Sequence, residues 1–112
     1  MTTPEKAKGS KFELDVAKYF NERGFPYVER RYGAGNTMDK GDLNGMPGVV
    51  FECKNLKSIT LSTIIDETLV EQANAKADYG IAIIKRRNKS VAQSYAMLTL
   101  EQLISLLKDA GR

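Results

Sequence analysis

The sequence predicts an α/β domain in the order helix, three strands, helix, two strands, helix. Three observations carry that expectation. Apolar residues recur at helical spacing in three separate windows. Two β-rich apolar runs, VVFECK at 49–54 and IAIIK at 81–85, lie between them. Turn formers (Gly, Asn, Pro) punctuate the joins. At 112 residues the chain is expected to form one domain around one small core.

Residues 1–9, with Pro4 and Gly9, are expected as a flexible basic arm, and residues 10–112 as the single domain. Ser10 is placed as N-cap of the first helix with Glu13 as its capping-box partner. Phe12, Val16, Tyr19 and Phe20 form its apolar side and Gly24 its stop. YVERRY at 27–32 alternates as a strand does, and GAGNTMDKG reads as loop. The next strands are expected at 41–44 and 49–54, joined by a turn containing Asn44-Gly45, Pro47 and Gly48. A second helix runs from Leu61 to Asp78, with Ile65, Leu69 and Ala73 on one face and Gly80 beyond its end. After the 81–85 strand come the turn RRNKS, the strand SYAMLT and a last helix. Thr99 is its N-cap, Gln102 its capping-box partner, and Leu100, Leu103, Ile104 and Leu107 its apolar stripe.

Composition narrows the chemistry. Histidine is absent and cysteine occurs once, as Cys53. Ser-His and Cys-His nucleophiles, histidine bases, His-ligated zinc and intramolecular disulfides are therefore excluded within this sequence. No apolar run is long enough to cross a bilayer and no signal-like segment opens the chain, so no membrane partner and a reducing, cytoplasmic setting are expected. A viral protein acting inside a host cell fits the same setting. Net charge is +3, but it is segregated: Lys6, Lys8, Lys11, Lys18, Arg23, Arg30 and Arg31 crowd the first third, and Lys85, Arg86, Arg87 and Lys89 form a second cluster. Clustered cations suit a polyanion such as nucleic acid, although a solvated charged face carries the same pattern.

The chemistry concentrates at GDLNGMPGVVFECKN, residues 41–55. Strand alternation places Val50, Glu52 and Lys54 on one face and Phe51 and Cys53 on the other. Asp42 joins Glu52 and Lys54 if the two flanking strands pair. Two carboxylates form a hard oxygen site of the kind Mg²⁺ takes, and an adjacent lysine can orient water or offset developing negative charge. An ion pair on an exposed sheet face, with Asp42 as a turn residue, accounts for the same pattern.

Residues 41–54 also resemble the metal-binding core of the PD-(D/E)xK nuclease superfamily. The wider pattern KGSKFELDVAKYFNERGFPYVERRYGAG, GDL and VVFECKN resembles the archaeal-type Holliday junction resolvases and their viral relatives. The likeness covers the first half of the chain and the order of later elements. Two positions depart from it: Ala34 stands where the glycine loop of that family often has serine, and Gly41 replaces the namesake proline. The resemblance implies a restriction-endonuclease-like fold with a mixed five-stranded sheet flanked by helices, order αβββαββα. It implies a homodimer that hydrolyses phosphodiester bonds in four-way DNA junctions with Mg²⁺, or Mn²⁺ as a substitute. Asp42, Glu52 and Glu13 would hold the metal and Lys54 would act on the nucleophile, with Lys8, Lys11, Arg30, Arg31 and Lys40 as DNA contacts. Asp39 is a rival for the aspartate position, and Gln72 a further helix residue near the site. A nuclease of the same fold acting on restriction, flap or repair substrates, and a nucleic-acid-binding module without catalysis, remain alternatives.

Overall fold

The computed structural model describes residues 3–31 and 40–112, and its first helix starts earlier than the sequence pattern suggests. Helix α1 spans Pro4–Glu22. The Thr3 hydroxyl accepts the Lys6 N–H at 3.2 Å, and Pro4 sits in the first turn, where its missing N–H would have had no helical partner. Residues 4–9, expected as part of an arm, are therefore helical. Gly9 is carried inside the helix at a propensity cost of about 1 kcal/mol, too little to break it. The expected Ser10–Glu13 capping box does not form, because both side chains bind Arg30 instead: Arg30 Nη2 donates to Ser10 Oγ at 3.0 Å and Arg30 Nε to Glu13 Oε1 at 2.6 Å.

The remaining elements follow the expected order: β1 Glu29–Arg30, β2 Leu43–Asn44, β3 Val49–Lys54, α2 Leu61–Ala75, β4 Tyr79–Ile84, a 3-10 turn Val91–Gln93, β5 Tyr95–Met97 and α3 Leu100–Asp109. The α/β class holds, but the expected single five-stranded sheet does not form. β1 and β2 make an antiparallel pair, while β3, β4 and β5 make a separate sheet, β3 parallel to β4 and β4 antiparallel to β5. The interruption has a local cause. Asp42 N donates to Phe51 O at 2.8 Å, but the next ladder position is taken by a side chain: Cys53 N donates to Asp42 Oδ2 at 2.7 Å.

Register sorts the faces of β3. Phe51 and Cys53 join Phe12, Val16 and Ala17 of α1, together with Val28 and Leu43, in the main core. Opposite them, Ile64 of α2 packs with Ala82 and Ile84 of β4. Each helix thus covers one face. The inward line of α2 is Ile64, Thr68 and Glu71, one residue out of phase with the expected Ile65, Leu69 and Ala73. Gly80 lets α2 approach β4: a Cβ there would stand 3.1 Å from Gln72 Cβ and 3.2 Å from the Thr68 carbonyl oxygen.

α3 is capped by Thr99, whose side chain accepts the Gln102 N–H as expected. The Gln102 side chain does not close the box. It reaches β4, where its Oε1 accepts the Gly80 N–H at 2.7 Å in a buried position. The Tyr79 hydroxyl donates to Asp109 at the other end of α3. These two polar ties anchor the helix, and its stripe of Leu100, Leu103, Ile104 and Leu107 stays exposed.

Candidate active site

Glu52 lies on β3, an edge strand of its sheet, yet is only 5% exposed, covered by α2. The reading of Glu52 and Lys54 as an ion pair on an exposed sheet face therefore fails. The two do share a face, as alternation requires. Lys54 Nζ lies 3.8 Å from Glu52 Oε2 and 3.0 Å from Glu67 Oε2 of α2. Asp42 joins them from beyond the β3 edge. Gly41, at φ +95°, makes this possible: a Cβ there would stand 2.8 Å from Val50 Cγ1 and 2.9 Å from the Phe51 carbonyl oxygen, so only glycine lets the chain pass this close to β3.

Four carboxylates are linked in a row. Glu13 interacts with Asp42, Asp42 lies within hydrogen-bonding reach of Glu52, and Glu52 within reach of Glu71. Burial, reinforced by Glu71 and opposed by Asp42 and Lys54, pushes the Glu52 carboxyl up to about 8. Burial also raises Glu13, opposed by Arg30 and reinforced by Asp42. For Lys54 burial disfavours the ammonium, but Glu67, Glu52 and Asp42 outweigh it and lift its pKa above the usual lysine value. The Cys53 thiol is raised by burial and by the surrounding carboxylates, so it stays protonated and unreactive.

Glu71, 2% exposed, is the site residue that sequence reasoning missed. Its signal was the α2 phase: counted from Ile64 rather than Ile65, the inward positions i+4 and i+7 are Thr68 and Glu71. The neighbouring Gln72, expected near the site, instead donates to the Ala77 and Asp78 carbonyls at 3.2 and 3.1 Å and closes the end of α2. Asp39 and the glycine loop at 33–35 lie outside the described residues.

Of the expected DNA contacts, Arg30 is engaged by Glu13 and Ser10. Arg31 donates its backbone N–H to Asp42 O at 2.7 Å, and its Nε is buried with no hydrogen-bond partner among the described residues. Lys40 is exposed. Lys8 and Lys11 line a cleft of about 450 Å³ with Lys57, Lys85 and Arg87, so the fold brings the two basic segments of the sequence together.

Among the described residues, no group of three or more His, Cys, Asp or Glu side chains converges on one point where a metal ion would be held. The geometry shows why: Asp42 Oδ2 is turned to the Cys53 amide and Glu13 Oε1 to Arg30. The donor chemistry nonetheless suits a hard divalent cation at Asp42 and Glu52, two carboxylates within reach of each other. No helix among the described residues is long and apolar enough to cross a membrane. No protein-family model, curated protein or solved structure matches the chain.

Proposed function

We propose that this chain is a Mg²⁺-dependent endodeoxyribonuclease of the PD-(D/E)xK type, selective for four-way DNA junctions and active as a homodimer. The observation that carries the reading is the buried Glu52, flanked by Asp42 and by the Lys54 ammonium at the carboxyl end of a parallel strand. Ligand sites of α/β folds gather at such strand ends. A structural ion pair has no need of a second and third carboxylate pressed against the first.

Asp42 and Glu52 would hold the cation, which when bound acidifies water and stabilises charge on the scissile phosphate. Lys54 keeps its proton, because its neighbours raise its pKa. It therefore acts as a cation that orients the attacking water and offsets negative charge, and not as the proton acceptor. Glu13 holds Arg30 in place beside Asp42, so in this arrangement it supports the site through the guanidinium. The basic cleft supplies phosphate contacts that position the backbone without reading sequence.

Resolving a four-way junction takes opposed cuts in two strands, which a two-fold dimer provides. The exposed stripe of α3 suits a second copy. Glu101 and Lys108 lie at opposite ends of the helix, so antiparallel pairing about a two-fold sets Glu101 of one copy against Lys108 of the other.

The deciding experiment is cleavage of a synthetic four-way junction, a flap and a linear duplex in parallel, with Mg²⁺, with Mn²⁺ and with EDTA. Metal-dependent paired cuts in the junction support the reading. Preferred cutting of flap or duplex moves the chain to another nuclease of this type, and binding without cleavage under any condition removes the catalytic assignment.

A further inference from the structure

The basic cleft does not end where the cations end. Three hollows follow α1, of about 450, 390 and 210 Å³, and adjoining ones share walls: Asp15 and Lys85 line the first and second, Tyr19 and Val91 the second and third. They form one furrow from Lys8 to Arg23, about 22 Å at 1.5 Å per residue. Eight basic residues and two acidic ones line it, against a net charge of +3 for the whole chain. One of those acids, Asp15, is already matched by Lys11 at 2.9 Å. The occupant is therefore an anion of some length.

The far end differs in character. The 210 Å³ hollow is walled by Tyr19, Phe20, Phe25, Tyr95 and aliphatic side chains. It is smaller than the roughly 300–1,000 Å³ of pockets for drug-sized ligands, and suits a single ring system. The Arg23 guanidinium stands over the Tyr19 ring and Arg86 over the Tyr95 ring, each 5.1 Å from the centroid. Ser94 lines the same hollow, and its hydroxyl is buried with no hydrogen-bond partner among the described residues.

We propose that this furrow binds a single-stranded nucleic-acid segment, with phosphates along the basic end and one unpaired base in the aromatic hollow beside Ser94. A duplex keeps its bases stacked inside and has no use for an aromatic pocket. A single strand offers a ring face to stack on tyrosine and a polar edge for a lone hydroxyl, while its backbone follows the cations. A peptide or lipid of low charge leaves the eight cations unexplained. The proposal shares the basic cleft with the hydrolytic reading, but it is measured in binding without metal, so its failure and the failure of that reading are told apart.

The test is fluorescence anisotropy in EDTA with a labelled oligothymidine of about twelve nucleotides, within the span of known single-strand sites, and with a blunt duplex of equal length. The single strand is expected to bind more tightly than the duplex. Tyr95→Ala is expected to weaken single-strand binding about tenfold or more with an unchanged salt dependence. Lys85→Ala with Arg87→Ala is expected to lower the slope of log K against log salt by about 1.4. Tyr27→Ala, at an 81% exposed residue outside the furrow, is the control that leaves both unchanged. Equal or tighter binding of duplex, or variants that bind as the parent does while circular dichroism shows them folded, overturns the proposal. Failure of junction cleavage with intact single-strand binding would instead count against the nuclease reading alone.

Discussion

Cys53 donates its backbone N–H to the carboxylate of Asp42 at 2.7 Å, so the residue proposed to hold a metal ion also completes the hydrogen bonding of the strand edge. The two duties can be separated. Asp42→Asn retains an acceptor oxygen, and its stability is expected to stay within about 1 kcal/mol of the parent. Asp42→Ala leaves the Cys53 amide without this acceptor and is expected to cost about 1–3 kcal/mol. Both are expected to abolish metal-dependent junction cleavage. Urea denaturation alongside the cleavage assay checks the pair, and an Asp42→Asn protein that cuts as the parent does removes Asp42 from the site.

The Glu52 carboxyl is lifted from 4.5 to about 8, first by burial and then by Glu71. The fold thus favours the neutral form. That contribution is whole below the unfolded value near 4.5 and is lost as pH rises through the folded value near 8. In EDTA the melting temperature is expected to fall between about pH 5 and about pH 8, and Glu52→Gln should flatten the profile. Mg²⁺ added at the upper pH is expected to restore stability to the parent and not to Glu52→Gln. Parallel pH profiles for the two proteins would show that Glu52 is not the origin of the slope.

Gly80 is the meeting point of α2, α3 and β4. A methyl group there meets Gln72 and the Thr68 carbonyl, so Gly80→Ala is expected to cost about 1–3 kcal/mol through overpacking. Gln102→Ala leaves the buried Gly80 amide unsatisfied and is expected to cost about 1–3 kcal/mol as well. The two losses should combine to less than their sum, since the residues are bonded partners. Denaturant midpoints of the two single variants and the double variant read out this coupling.

If α3 pairs two copies, Leu103→Glu with Leu107→Glu is expected to convert a dimer to a monomer on a sizing column. The fold should survive, because both residues are exposed in the single chain. The monomer is expected to nick a junction without resolving it. A parent protein that already elutes as a monomer at assay concentration would overturn the two-fold arrangement.

Much of this molecule was legible in its residues, and the misses share a cause. VVFECK matches β3 residue for residue, because the β-branched and aromatic Val49, Val50 and Phe51 open a short apolar run bounded by Gly48 and Asn55. Thr99 was readable as a cap from its local chemistry. Side-chain partners chosen across the fold were not readable. Arg30 took Ser10 and Glu13 away from local capping, Gly80 drew Gln102 out of its capping box, and Asp42 took a ladder position that a backbone carbonyl would have filled. The phase of α2 failed for a related reason. Thr68 and Glu71 face inward although an apolar alternative existed, since Thr68 returns its hydroxyl to the Ile64 carbonyl at 2.8 Å and Glu71 faces the carboxylate row. At the candidate site, strand alternation alone put Glu52 and Lys54 on one face, whereas Glu71 required the helix phase. Asp42 was expected beside them by pairing of its strand with β3, which does not form, and it reaches β3 from the separate β1–β2 pair instead.

The break between the two small sheets has a dynamic consequence. Among the described residues, the β1–β2 hairpin meets β3 through the Asp42–Phe51 backbone bond, the Asp42 side-chain bond and the packing of Val28 and Leu43, while β4 is paired along its length on one side and at its end on the other. The hairpin is therefore the natural unit to open first, and its amide protons should exchange with deuterium well before those of Ile83 or Ile84. Asp42 belongs to the side that opens and Glu52 to the side that stays. A cation shared between them would rivet the two together, and hairpin protection would then report occupancy of the site without any substrate being cut.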